Sequence, residues 1–159
     1  MAAKIKLDVL PYADISVIAV CAPMRDYRFI WHLNNHLDVH FTQGRPFVWH
    51  HKKLKTDFDY AVFRCPEHAD VLFVNNRNEN VQLIPTLSTI DYFVVFLEST
   101  DESDLNNWMK EIRSIPGITL LTMLSGKQLE EFRQILSELE FQEMQRSIEA
   151  KKNKIKAFE

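Results

Sequence analysis

Apolar positions alternate along the first half of this chain and recur at helical spacing in two later stretches, and the change of period marks out its elements. Ile5, Leu7 and Val9 stand against Lys4, Lys6 and Asp8, the period of two expected of a half-buried strand. ISVIAVCA, rich in β-branched residues, follows as a more deeply buried strand. Beyond Pro23, a residue suited to a helix's first turn, Tyr27, Ile30, Leu33 and Leu37 share one broad face, which predicts a helix over 23–37. FVWHHK, DYAVFRC and DVLFVNN read as short strands with turns at Gly44, Pro66 and NNRNEN, and short polar links of this kind favour an antiparallel meander. VQLIP is a further short strand, stopped by Pro85 because proline supplies no ladder N–H. DYFVVFLE is a buried strand; Ser99 and Glu102 have capping-box spacing; Leu105, Trp108, Met109 and Ile112 form a helical stripe; and ITLLTML is another strand. That β-α-β succession leaves a parallel pairing open. From about Lys127 the chain is helical, with Leu129, Phe132, Leu136 and Leu139 on one stripe that is lost after Met144, ahead of a lysine-rich stretch.

Together these elements predict an α+β fold, an antiparallel or mixed sheet with two packed helices and a long C-terminal helix. One domain is expected over residues 1–125, followed by a helical extension over 126–159 that packs on the domain or on a partner. At 159 residues with 46% apolar content, such a chain builds a core without metal or disulfide. A formal charge of −3 speaks against generic affinity for nucleic acid or anionic membrane. No apolar run approaches the roughly 20 residues of a membrane span. The opening MAAKIKLDVL lacks the apolar core of a secretory signal, and Cys21 and Cys65 are too few for a disulfide framework, so a cytoplasmic protein with buried, reduced thiols is expected.

QLIPTLSTIDYFVVFLE resembles the signature of the IPExxxVDY family, small uncharacterised proteins associated with Bacteroidetes, through Ile84, Pro85, Asp91 and Tyr92. KIKLDV and RDYRFIWHLNNHL are similar to that family's opening strand and following helix, the latter through Asp26, Tyr27, Arg28, Trp31, Leu33 and Asn34. The resemblance spans residues 4–123. Thr86 stands where the signature has glutamate and Ile90 where it has valine, so no role built on that acid carries over. The resemblance implies a fold and a source, and no activity.

Candidate chemistry is sparse. His32 and His36 are one helical turn apart, a spacing that lets two imidazoles reach one metal. Arg25 and Arg28 lie on the same flank and would oppose a cation, and no HExxH glutamate is present, so a solvated helix face, without metal or cofactor, is expected. RPFVWHHKKLK interleaves Phe47 and Trp49 with Arg45, Lys52, Lys53 and Lys55; this suits a nucleic-acid backbone with stacked bases, or a strand edge whose lysines deter pairing. CPEH sets Cys65 near Glu67 and His68, either a nucleophile with its base or a structural cysteine before a turn proline. Asp91 and Tyr92 open a buried strand, and with Asp26, Tyr27 and Arg28 they make the ligand or partner candidate that the resemblance singles out. Arg28 is expected to reach Asp91 in a charge-assisted pair, structural or functional.

Only three glycines occur, Gly44, Gly117 and Gly126, which excludes GxGxxG and GxxxxGK[ST] phosphate loops; no GxSxG elbow is present either. Because the last helix needs something to cover it, the leading expectation is a non-catalytic protein-interaction module that forms homodimers. The alternatives are an enzyme or small-ligand binder built on Arg28, Asp91 and Tyr92, and nucleic-acid binding through residues 45–55.

Overall fold

Successive strand residues are apolar in this chain because helices or hairpins cover both faces of its sheet. The computed structural model describes residues 12–157; the strand expected over Lys4–Val9 lies outside them. In chain order the elements are β1 (Ser16–Cys21), α1 (Asp26–Leu37), β2 (Thr42–Gln43), β3 (Phe47–His51), β4 (Thr56–Tyr60), β5 (Val62–Arg64), β6 (Val71–Asn75), β7 (Arg77–Asn78) and β8 (Val81–Gln82). They continue with β9 (Tyr92–Phe96), α2 (Glu102–Arg113), β10 (Leu120–Met123) and α3 (Gly126–Ala157). Six strands form one sheet in the order β10-β1-β9-β6-β5-β2, every pairing antiparallel, while β3–β4 and β7–β8 are separate hairpins. The architecture is α+β.

The strand pleat sorts the side chains into two cores. Ile18, Val20, Phe73, Val94 and Phe96 meet Phe29, Ile30 and Leu33 of α1 and Trp108 and Ile112 of α2. Val17, Ala19, Leu72, Val74, Phe93 and Val95 face the other way, toward Phe132, Ile135, Leu136 and Leu139 of α3 and toward Phe47 and Tyr60 of the β3–β4 hairpin. With successive residues alternating between two dry faces, an antiparallel strand reads as one continuous apolar run, the pattern more usual for parallel sheets.

That pattern explains where sequence expectation and structure part. The succession β9-α2-β10 does cross over, but β1 lies between β9 and β10 and pairs antiparallel with both, so the parallel pairing is absent. Ser99 does not cap α2: Asp101 holds the N-cap position with no side-chain bond, and the Thr100 hydroxyl donates to Glu98 O. Helix α1 begins at Asp26 and buries Phe29, Ile30 and Leu33, leaving Tyr27 68% exposed. DYAVFRC breaks at Ala61 into β4 and β5, which join different sheets, and VQLIP pairs only at Val81–Gln82. Among the described residues no helix is long and apolar enough to cross a membrane.

Candidate functional site

The residues singled out by the signature hold the fold together around one loop. Asp91 Oδ1 accepts from Arg77 Nε at 2.5 Å, and its Oδ2 accepts from the Ala22 backbone N–H at 2.8 Å. The Tyr92 hydroxyl donates to Met24 O, and burial pushes its pKa well above the ordinary tyrosine value. Both bonds pin the β1–α1 connection to the start of β9. Asp26 accepts from Asn75 Nδ2 at 3.1 Å, while Tyr27 and Arg28 face outward. The partner of Asp91 is therefore Arg77 on β7. Arg28 makes no ion pair among the described residues, because α1 presents it on the side away from the sheet. Asp91→Ala would leave Arg77 unpaired and half-dry, an expected loss of about 2–3 kcal/mol in urea unfolding; Arg28→Ala should stay within about 0.5 kcal/mol.

Asn76, one of the asparagines of the NNRNEN turn, is the centre of this arrangement. It is fully buried, and its Nδ2 donates to Leu87 O (3.0 Å) and Ile90 O (2.8 Å) while Oδ1 accepts from Ile84 N (3.0 Å). Its backbone N–H donates to Asp91 O and its carbonyl accepts from Leu83 N, so one residue grips the loop between β8 and β9 at both ends.

The basic stretch builds a different feature. Trp49 is half-buried and lies 5.7 Å, centroid to centroid, from Phe47, while Arg45, Lys52, Lys53 and Lys55 are exposed. Across the hairpin His50 pairs with Asp57 and Val48 with Asp59, and His50 Nδ1 bonds Asp57 at 2.7 Å. These aspartates dilute the positive face and the indole is already packed, two departures from a base-stacking surface. Behind the lysines is a recess of about 470 Å³ between the β3–β4 turn, the β7–β8 turn and α3. His51 lines it, 8% exposed, with its Nε2 2.6 Å from the Tyr60 hydroxyl. Burial, with neighbouring His50, lowers the His51 pKa below its ordinary 6.5, so the ring is neutral at pH 7. Burial raises Tyr60 to about 12.

The remaining candidates resolve into local structure. The carboxylate of Glu67 bridges His40 Nδ1 (2.5 Å) and Cys65 Sγ (3.1 Å), and hydrogen bonds from His40 and then Cys65 pull its pKa down to about 2. Burial first, then that bond to Glu67, raises the Cys65 pKa, the reverse of an activated thiol. His68 lies edge-on to Trp108 instead of serving the thiol. The His36 Nδ1–H donates to His32 O at 2.8 Å, which commits that imidazole to its own helix. Among the described residues no group of three or more histidine, cysteine, aspartate or glutamate side chains is arranged to hold a metal ion. Both cysteines are free.

Helix α3 carries the last feature, two apolar stripes on opposite sides. Phe132, Ile135, Leu136 and Leu139 face the sheet, and polar bonds extend that docked face: Gln142 brackets Val48 by accepting from its N–H (3.0 Å) and donating to its carbonyl (2.6 Å), and Arg146 donates to Pro46 O. Taking about 100° per residue, Phe141, Met144, Ile148 and Ile155 point roughly 150° away from the docked stripe. They are 51–63% exposed. Everything from Ser147 to Ala157 is exposed, a projection of about 16 Å. The apolar stripe is therefore not lost after Met144; it passes to the other side of the helix.

The fold and these sites define an antiparallel α+β domain with a surface recess and a helix face left uncovered among the described residues. Comparison with protein-family models, curated proteins and solved structures finds no match.

Proposed function

We propose that the protein is a non-catalytic interaction module that works in the cytoplasm as a homodimer, joined through the outward face of α3. The observation that carries this reading is the second stripe: four large apolar side chains recur at intervals of three, four and seven, heptad spacing, on a face that the sheet of the same chain cannot cover. Charge along α3 favours an antiparallel partner of the same sequence. Glu138 and Glu140 flank the stripe near its start, and Lys152 and Lys154 near its end, so two copies crossing close to Arg146 bring acid against base twice. In that register Ile148 meets Met144 of the partner copy, and the stem of Lys151 covers Phe141. The free cysteines support a reducing compartment, and the resemblance to the IPExxxVDY family belongs to the same proposal. An enzyme built on Arg28, Asp91 and Tyr92 has less support, since Asp91 and Tyr92 spend their polar atoms on Arg77, Ala22 and Met24.

Sedimentation across a range of concentrations checks the proposal. The natural chain should shift toward twice its monomer mass, while Phe141→Glu, Ile148→Glu and the pair Lys152→Glu, Lys154→Glu should hold it at monomer mass with an unchanged circular dichroism spectrum. A natural chain that remains monomeric throughout refutes it.

A further inference from the structure

The recess beneath the β3–β4 turn has the parts of a ligand site. Its volume of about 470 Å³ falls within the range of small-molecule pockets. That is roughly three times a cavity of ~150 Å³ that holds benzene. Three separate elements form its walls: Trp49 and Leu54 from the hairpin, Leu83 and Pro85 from the loop after β8, and Ile135 from α3. None of these side chains fills it. A recess of this apolar character at the meeting of three elements admits a compact hydrophobic body.

Its polar groups are few and specific. His51 Nε2 lies 2.6 Å from the Tyr60 hydroxyl, whose one proton is donated to Val81 O at 3.3 Å, so Nε2–H donates to the hydroxyl oxygen and Nδ1 is left an acceptor. Among the described residues His51 Nδ1 has no hydrogen-bond partner. His51 is one of the residues that line the recess. At the rim stand Lys52 and Lys53 opposite Glu131, leaving one net positive charge at neutral pH.

We propose that this recess binds a small monoanion with an aromatic or branched apolar body, a carboxylic acid in its ionised form, its body against Trp49, Leu83 and Ile135 and its carboxylate at the Lys52 and Lys53 ammonium groups. One net positive charge balances a monoanion and leaves a dianion such as a phosphate monoester in excess. This assignment is independent of the outward face of α3, because the recess meets that helix at Glu131, Gln134 and Ile135, ahead of the outward stripe that begins at Phe141.

Indole-3-acetate is the test probe, and tryptamine, the same ring with the charge reversed, is its control. Titrated into the isotope-labelled full chain, indole-3-acetate should move the Trp49 indole and His51 ring signals saturably and leave those of Trp31 and Trp108 in place. Tryptamine should bind at least about tenfold more weakly, and Lys52→Ala with Lys53→Ala, both exposed and away from the core, should weaken indole-3-acetate by about five- to tenfold. No saturable shift at Trp49 or His51, equal binding of tryptamine, or an unchanged affinity in the lysine variant overturns the assignment.

Discussion

Replacing Asn76 by alanine is expected to destabilise the fold by about 3–5 kcal/mol, a large share of a typical domain's stability. The cause is the set of groups left behind. Ile84 N–H loses its acceptor and the Ile90 carbonyl its donor, both buried, while the Leu87 carbonyl keeps only the Ile90 N–H. Each orphaned buried group costs about 1–3 kcal/mol. Leucine would do no better, since it brings no polar atoms to the three partners. The check is a shift of the urea midpoint with an unaltered slope, with Asn80→Ala, an exposed asparagine of the same turn, held to within about 0.5 kcal/mol. A loss below about 1 kcal/mol for Asn76→Ala would show that water or rearrangement satisfies the loop, and the central role given to Asn76 would fall.

Phe132→Ala should cost a similar amount, about 3–5 kcal/mol, through an emptied cavity between α3 and the sheet. Phe132 is fully buried and stands edge-on to Phe93 with centroids 4.9 Å apart, a contact worth roughly 1 kcal/mol beyond burial. Only four side chains of α3 are buried, so the loss of the largest weakens the attachment of the whole helix. Hydrogen exchange should therefore accelerate first in α3 amides near Phe132, before those of β9 in the sheet centre. Met144→Ala, on the opposite side of the helix, is the matched control and should leave monomer stability unchanged. If the two substitutions had equal effects at low concentration, α3 would not be docked through the Phe132 stripe.

The two cases differ in how much could be read beforehand. Phe132 was visible as part of a helical stripe with Leu129, Leu136 and Leu139, because the period of a helix is local and the side chains it aligns declare themselves by spacing. Asn76 was not. It is one of four asparagines in NNRNEN, all equally suited to a turn, and burial alone separates it from Asn78 and Asn80. The same limit applies to Asp91: its position at the start of a buried strand suggested a paired charge, but Arg77 and Arg28 are equally plausible cations until the loop from β7 is folded beside β9. The recess includes Trp49, Lys52 and Lys53, three residues that stood out by composition, yet its other walls come from residues far along the chain with no distinguishing pattern.

By itself, then, the sequence determined the α+β class, the approximate places of α1, α2 and α3, the buried character of β1, β6 and β9, and the absence of glycine-rich phosphate loops. All of these follow from period and composition, which act over a few residues. Only the tertiary structure decided that β1 enters between β9 and β10, that Asp91 takes Arg77, that Asn76 organises the loop leading to it, and that α3 turns one apolar stripe inward and another outward. Those outcomes depend on which segments meet across long loops, and an apolar run or a polar side chain carries no mark of the partner it will find.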